Sequence, residues 1–221
     1  MTEIWFIRHG ETDWNRVRRL QGWKDIPMNA EGDAQAQRLA TRLVRDAETQ
    51  PFAALYSSDL GRTLATAQPA SEQLGLRVRP EPGLRERCYG VLEGLEAHRL
   101  EELAPAAYPV WASREVDGVI EGAETLRQFH ARVTSTVDDI AARHDGERIL
   151  MVTHGGALDI IWRHAQGIKL DDPRRTPMLN VSVNRVTIED GQWSMQSWGD
   201  VSHVSDAGAV GDDVVAGRAG I

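Results

Sequence analysis

Apolar and polar positions follow two different periods along the chain, and each period predicts one kind of element. Three continuous apolar runs have the length of strands that are buried on both faces: residues 4–7, 53–56 and 148–153. Four longer stretches repeat apolar side chains at helical spacing: residues 31–47, 60–74, 124–143 and about 157–164. The pattern therefore predicts strands and helices that alternate along the sequence.

The end of this pattern predicts a hairpin. Residues 180–188 and 192–198 alternate between apolar and polar positions, and they flank the turn-forming pair Asp190-Gly191. Strands that alternate with helices usually form a mostly parallel sheet with helices on both faces. The predicted fold class is therefore α/β, with three layers and a mostly parallel central sheet.

The same pattern suggests how the chain is divided. Residues 1–204 are predicted to form a single domain, in which residues 57–59 are a plausible N-terminal cap for the following helix. Residues 96–110 fit a short helix plus a loop, and residues 95–122 are interpreted as a cap-like insertion. Residues 205–221 are rich in Gly, Asp, Ala and Val, which predicts a flexible or loosely docked C-terminal tail.

Charge and cysteine content narrow the class of protein. The formal net charge is −8, which argues against a protein that binds nucleic acid. The apolar runs are too short to span a membrane, and residues 1–4 lack the start of a signal peptide. Because Cys88 is the single cysteine, an internal disulfide framework is excluded. We therefore expect a cytoplasmic protein with no nucleic-acid or membrane partner.

The main chemical signal is Arg8-His9-Gly10, directly after the first predicted strand. A histidine can attack phosphorus if one ring nitrogen is unprotonated and the other is tied to an acceptor. The glycine lets the backbone approach a phosphoryl group, and the arginine offers a planar fork of donors to its oxygens. His154 also follows a predicted strand, so both histidines should lie at the edge of the sheet where ligands bind.

Four motifs occur along the chain in a fixed order: Arg8-His9-Gly10-Glu11-Thr12 with Asn15, Ser57-Ser58-Asp59-Leu60-Gly61-Arg62-Thr63, Leu84-Arg85-Glu86-Arg87-Cys88-Tyr89-Gly90, and Val152-Thr153-His154-Gly155-Gly156. With these motifs the chain resembles the histidine phosphatase superfamily, whose fold is phosphoglycerate-mutase-like, from residue 3 to about residue 200. The resemblance implies that residues 1–204 are one histidine-phosphatase domain. It also implies a phosphomonoesterase of the histidine acid phosphatase type.

The resemblance gives a role to each matching residue. His9 would be the nucleophile, and Arg8, Arg62 and His154 would bind the transferring phosphoryl group. Glu86 would protonate the leaving oxygen and then activate water. Six residues would contact the substrate: Thr12, Asn15, Gln21, Gly22, Tyr89 and Gly155. No His, Cys or Asp cluster has the spacing of a metal site, so neither a metal nor a cofactor is predicted.

Taken alone, several of these residues fit simpler interpretations. Arg62 and Glu86 could be solvated surface charges, and Gly155-Gly156 could be only a turn between a strand and a helix. Cys88 is interpreted as structural or incidental, because nothing like a phosphate-binding loop follows it. The remaining histidines have no partner spacing and are interpreted as surface or hydrogen-bonded residues: His98, His130, His144, His164 and His203.

Three functions stay open, of which a phosphatase is favoured. Mutases of this family carry a lysine where this chain has Ala97, and paired arginines where it reads Ala112-Ser113, so cations for a second anionic group are missing. The alternative is a cofactor-dependent phosphoglycerate mutase, in which Arg114 or residues 16–19 replace those cations. A non-catalytic phospho-ligand-binding module is disfavoured, because a binder would not need Glu86. The predicted partner is a small phosphorylated metabolite, with a homodimer left open.

Overall fold

A six-stranded sheet forms the centre of the fold. The computed structural model describes residues 1–204, so the tail predicted at residues 205–221 lies outside the described residues. The strands are β1 Thr2–Arg8, β2 Ala54–Ser57, β3 Val78–Pro80, β4 Arg148–Thr153, β5 Val183–Glu189 and β6 Gln192–Asp200. Their spatial order is β3-β2-β4-β1-β5-β6. Neighbours from β3 to β1 are parallel, whereas β5 and β6 form the predicted antiparallel hairpin.

Helices cover the sheet and account for the helical spacing in the sequence. They are α1 Asp13–Arg16, α2 Ala30–Thr49, α3 Gly61–Leu74, α4 Leu100–Leu103, α5 Tyr108–Ala112, α6 Leu126–Ala141 and α7 Gly155–Gln166. The four longer helices were predicted from their spacing, and the short helix predicted within residues 96–110 corresponds to α4 and the start of α5. The single turn of α1 is too short to show a period. No helix within residues 1–204 combines the length and the apolar content that crossing a bilayer requires.

The two faces of the sheet explain why its central strands are apolar throughout. In β1, Ile4 and Phe6 pack into a cluster with side chains of α6 and α7. Trp5 and Ile7, between them in sequence, pack into a second cluster with α2 and α3. Side chains alternate between the faces of a strand, so a strand covered on both sides needs apolar residues at every position. This packing confirms the predicted three-layer α/β fold.

The predicted cap of α3 is wrong. The residue at its N-cap position is Leu60, whose side chain cannot accept a hydrogen bond, and the Gly61 N–H donates to Asp25 Oδ1 at 2.7 Å instead. Asp59 accepts two hydrogen bonds of 2.6 Å from the Arg85 guanidinium. The polar residues before α3 therefore make tertiary contacts, which local sequence spacing cannot reveal.

A third apolar cluster lies beside the sheet and includes part of the segment interpreted as a cap. Its buried members are Leu20, Tyr89, Leu92, Leu100 and Ile120, and side chains of α5 pack against them. The cluster fastens residues 95–122 to the two loops that contain Leu20 and Tyr89. The division into a main domain and a cap-like insertion stays a prediction.

Candidate active site

The parallel pairing of β1 and β4 brings the two histidine motifs together. Arg8 at the end of β1 lies opposite Thr153 at the end of β4, and the His9 N–H donates to the Thr153 carbonyl at 3.0 Å. The next residues, His9 and His154, leave the sheet at the same edge. Their ring centroids are 5.3 Å apart, and both side chains are buried. The shared edge that the sequence predicted is therefore present.

Backbone contacts fix the His9 ring in one tautomer. Its Nδ1 lies 2.7 Å from the carbonyl oxygen of Gly10. A carbonyl oxygen only accepts hydrogen bonds, so Nδ1 carries the proton and Nε2 keeps its lone pair. The carbonyl of His9 accepts a bond of 2.8 Å from Asn180 Nδ2, and the Gly10 N–H donates to Thr66 Oγ1 at 2.9 Å. The last two bonds fix the backbone of His9 and of Gly10.

His154 is held by the second motif. Its Nε2 lies 2.8 Å from Ser58 Oγ. Its Nδ1 is buried without a hydrogen-bond partner among the described residues. Because His154 stands at the N-cap of α7, its ring lies beside a helix terminus whose N–H groups favour an anion.

Burial and neighbouring positive charge keep both rings neutral. Burial lowers the pKa of His9 well below its ordinary value, and the positive charges of Arg62 and Arg8 lower it further. The pKa of His154 is lowered well below its ordinary value by burial, then by Arg62, His9 and Arg8. Near neutral pH two uncharged imidazoles therefore lie side by side next to two arginines at this edge of the sheet.

Arg8 and Arg62 are buried arginines rather than solvated surface charges. Each is 1% exposed, and both line a pocket beside His9. Arg62 donates to the carbonyls of Gly22 and Lys24 at 2.9 Å each, and Arg8 donates to the carbonyl of Met178. These backbone carbonyls orient the two guanidinium groups beside His9.

Glu86 also faces this pocket and is only 8% exposed. Its Oε1 accepts a bond of 2.7 Å from the Arg87 N–H, and its Oε2 accepts one of 2.8 Å from the Gly156 N–H. A β-carbon at Gly156 would lie 2.1 Å from Glu86 Oε1. Glycine at this position is therefore required for the Glu86 carboxyl group to occupy its observed position. Gly156 thus does more than form the turn between β4 and α7.

The structure separates the six predicted substrate-contact residues into two groups. Four of them line the pocket: Gln21, Gly22, Tyr89 and Gly155. Thr12 and Asn15 are buried but are absent from the pocket lining within residues 1–204. They form a capping box for α1, in which the Thr12 hydroxyl accepts from the Asn15 N–H and Asn15 Oδ1 accepts from the Thr12 N–H.

The pocket contains three further arginines, two of which the mutase alternative had named as replacement cations. Arg19, Arg114 and Arg174 line it together with Asp159. Asp159 Oδ2 accepts a bond of 2.8 Å from Arg114 Nη2, and its Oδ1 lies 3.9 Å from Arg174 Nε. Among residues 1–204, five arginines and two acidic side chains line the pocket. Positions 97, 112 and 113 carry no cation, as the sequence shows, and Arg19 and Arg114 are the replacements that the mutase alternative named.

Comparison with known proteins identifies the family of the chain. The model of the histidine phosphatase superfamily (branch 1) matches residues 4–201. The chain belongs to this superfamily. The phosphoglycerate mutase-like protein 4 of Arabidopsis thaliana is 39% identical over 210 residues, which are 93% of this chain and 88% of that protein. The metal-independent phosphoserine phosphatase of the same plant is 39% identical over 211 residues, which are 94% of this chain and 85% of that protein.

A solved structure agrees with this assignment. Bacillus stearothermophilus YhfR superimposes with a TM-score of 0.83 at 31% identity, covering 93% of this chain and all of that one. The relatives support a phosphatase activity for this member of the histidine phosphatase superfamily. Phosphoglycerate-mutase-like architecture, recognised from the four motifs, is therefore confirmed.

Sequence reasoning missed Ser58, Asp159 and Arg174 as residues of the site. Ser58 lies within the second motif, shortly before the helix that carries Arg62. This position in the motif was the available signal that Ser58 belongs to the site. Asp159 lies on the buried side of α7, where a carboxylate must have a partner, and Arg163 one turn later was the clue. Arg174 comes from a loop without periodicity, and nothing in its sequence indicates where its side chain lies.

Two further predictions concern residues outside the pocket. Cys88 Sγ donates to the Gly122 carbonyl at 3.1 Å, and burial raises the pKa of the thiol, as fits a structural role. Within residues 1–204, no group of three or more His, Cys, Asp or Glu side chains is arranged to hold a metal ion. The predicted metal independence is tested by the experiments below.

Proposed function

We propose that this chain is a metal-independent phosphomonoesterase that acts on a small phosphorylated metabolite through a phosphohistidine on His9. The state of His9 carries the proposal: its Nδ1 is tied to the Gly10 carbonyl, so a neutral ring with an unprotonated Nε2 lines the pocket. Phosphoryl transfer needs positioning and charge neutralisation above all. Arg8 and Arg62 supply positive charge beside the nucleophile.

In the first step, His9 Nε2 attacks phosphorus, and the bond from phosphorus to the substrate oxygen breaks. The electron pair of that bond stays on the leaving oxygen, which takes a proton from the carboxyl group of Glu86. A neutral alcohol leaves, and the phosphoryl group remains on His9. Its oxygens face Arg8, Arg62 and the N-terminus of α7, which all favour negative charge.

In the second step, water attacks the phosphohistidine. The ionised Glu86 takes a proton from the water, and the phosphorus–nitrogen bond breaks with its electron pair returning to Nε2. Inorganic phosphate leaves, and both His9 and Glu86 regain their starting protonation states. The same carboxyl group is therefore an acid in one half-reaction and a base in the other.

The charges of the pocket favour a substrate with a second anionic group. Beyond Arg8 and Arg62, which would face the phosphate, three further arginines of the lining attract a second anionic group such as a carboxylate. Arg19, Arg114 and Arg174 lie along the wall that such a group would face. The name of the plant phosphoserine phosphatase supports the same substrate class, a short phosphorylated hydroxy or amino acid.

The same arginines favour a second candidate, a cofactor-dependent phosphoglycerate mutase. A mutase must hold its product until the phosphate returns, and those cations could hold it. The two functions are separated by incubating the enzyme with 3-phosphoglycerate and a catalytic amount of 2,3-bisphosphoglycerate. We expect free phosphate; near-stoichiometric 2-phosphoglycerate with little free phosphate would assign the chain to the mutases. A non-catalytic binding module would give neither product.

Trapping of the intermediate tests the proposed function directly. The enzyme is mixed with phosphoserine labelled at phosphorus and quenched in alkali, in which phosphohistidine survives. We expect label on the protein that acid removes, and no label or turnover in the His9→Ala variant. His98→Ala changes an exposed ring outside the pocket and is the matched control. Turnover by His9→Ala within about tenfold of wild type would refute the proposal.

A further inference from the structure

The proposed acid–base residue Glu86 lies in an irregular stretch of backbone. Residues 85–89 join two 3₁₀ helices, Pro82–Leu84 and Gly90–Leu92. Backbone polar groups that are buried outside helices and sheets must find partners elsewhere, usually in side chains. Since a carboxyl group that transfers protons needs a fixed position, those partners matter to the chemistry.

Arg132 on α6 binds three carbonyls in and beside this stretch, and the Glu86 carbonyl also accepts a bond of 2.8 Å from Trp23 Nε1. Arg132 Nη1 donates to the carbonyls of Gly83 at 2.9 Å and Arg85 at 3.1 Å, and its Nη2 donates to the carbonyl of Glu86 at 3.1 Å. The other two bonds go to Glu124, from Nε to Oε1 at 2.7 Å and from Nη2 to Oε2 at 2.8 Å. A guanidinium has five N–H donors, so every one of them is accounted for.

Glu124 completes the hold from the other end of the stretch. Its Oε2 accepts a bond of 2.9 Å from the Cys88 N–H, and its own N–H donates to the Cys88 carbonyl at 3.0 Å. Its carbonyl accepts a bond of 2.9 Å from Arg87 Nε. The Arg132–Glu124 pair therefore binds backbone on both sides of Glu86, and its side chains are 22% and 17% exposed.

We propose that the Arg132–Glu124 pair positions Glu86 for proton transfer, an inference that rests on the proposed acid–base role of Glu86. Neither residue is among the described residues that line the pocket, so the pair acts through the backbone of Glu86 rather than on the substrate. A displacement of about 1 Å in a reacting group can cost about a hundredfold in rate. Loss of Arg132 removes the bonds to the carbonyls of Gly83 and Arg85 and leaves that of Glu86 to the Trp23 indole, so the stretch can shift by about that much.

The variant Arg132→Lys separates position from charge. Lysine keeps the positive charge, which also acts on the pKa of His154, but it lacks the planar fork that reaches four groups at once. Leaving groups of different basicity then report on Glu86. An alkyl phosphate such as phosphoserine needs a proton on its leaving oxygen, whereas p-nitrophenyl phosphate does not. The measured quantity is kcat/KM, which reports phosphorylation of His9.

We expect Arg132→Lys to lower kcat/KM for phosphoserine by about tenfold or more and that for p-nitrophenyl phosphate by less than about threefold. Glu124→Gln, which keeps the shape of the side chain, should shift the same ratio in the same direction. The matched control is Arg127→Lys, because Arg127 lies on the same helix and pairs with Asp117 at the surface. Its ratio should equal that of wild type.

Adding Arg132→Lys to Glu86→Gln completes the test. If Arg132 acts through Glu86, the second substitution adds little to the loss that Glu86→Gln already causes. Equal losses for both leaving groups, or losses that add in full, would overturn the positioning role. If Glu86→Gln itself leaves the ratio unchanged, the proposed role of Glu86 fails instead. If Arg132→Lys does not fold, the ratio for Glu124→Gln decides.

Discussion

The neutral state of the two buried histidines predicts how the stability of the protein depends on pH. In the unfolded chain, His9 and His154 titrate near their ordinary pKa of about 6.5. Burial and the neighbouring arginines lower the pKa of both rings well below that value in the folded protein. Below about pH 6.5 the unfolded chain therefore binds protons that the folded protein does not. The contribution of the two neutral rings to the free energy of unfolding should be fully present above that pH and be lost as the pH falls.

The size of the effect follows from proton linkage. Each histidine that stays neutral in the folded state lowers the free energy of unfolding by about 1.4 kcal/mol between about pH 7.5 and about pH 5.5. His9 and His154 together should remove about 2.7 kcal/mol over that interval, beyond the contribution of other groups. The contributions of those other groups cancel when the free energies of unfolding of two variants are subtracted. The contribution of each histidine can therefore be measured separately.

Urea unfolding at the two pH values measures this loss for wild type, His9→Asn, His154→Asn and His98→Asn. Each buried-site variant should lose about 1.4 kcal/mol less than wild type on acidification, whatever its stability at neutral pH. The exposed His98 serves as the control, and its variant should follow wild type. If His9→Asn keeps the wild-type pH dependence, then His9 is protonated in the folded protein. In that case the lowered pKa that follows from the burial of the ring is wrong.

Three further predictions address other parts of the site. Gly156→Ala should lower kcat/KM for phosphoserine by about tenfold or more, because its β-carbon would displace the Glu86 carboxyl group. Steady-state kinetics measure this change. An unchanged kcat/KM would contradict the close contact between residue 156 and Glu86. Activity should survive EDTA, because arginines supply the charge; loss on chelation with rescue by a divalent cation would contradict it. Asp159→Asn should lower the free energy of unfolding by about 3–5 kcal/mol, because Arg163 is fully buried against that carboxylate. Urea unfolding measures the loss, and Asp117→Asn, in a surface pair, should cost no more than about 1 kcal/mol.

The fold could be predicted because its central strands have an unambiguous pattern. β1 and β4 are apolar over residues 4–7 and 149–152, since both of their faces are covered, and each ends directly before a histidine. The alternation of strands and helices then placed His9 and His154 at one edge. The predicted cap of α3 failed for the opposite reason: Asp59 binds Arg85, which lies 26 residues away, and local spacing carries no information on such a contact.

The residues of the candidate site also fall into those that local motifs predict and those that only the fold brings into place. His9, Arg62, Glu86 and His154 lie within short motifs and could be named from them. The structure places the first three in the pocket lining and the His154 ring 5.3 Å from that of His9. Thr12 and Asn15 lie in the same motif as His9, yet they form a helix cap, because adjacency in sequence does not set the direction of a side chain. Arg174 reaches the pocket from a loop, and Arg132 reaches Glu86 from a helix 46 residues away.

The pocket is built from two kinds of chain segment, and this division has a consequence for engineering. His9 and His154 are attached to the ends of neighbouring strands, whereas Arg19, Arg114 and Arg174 come from irregular segments outside the sheet. Loops accept insertion and exchange more readily than a buried sheet does. Replacing residues 95–122 with the equivalent segment of a relative should therefore change which phosphoester is accepted while the histidine chemistry is retained. Recognition and reaction would then be altered independently in one scaffold.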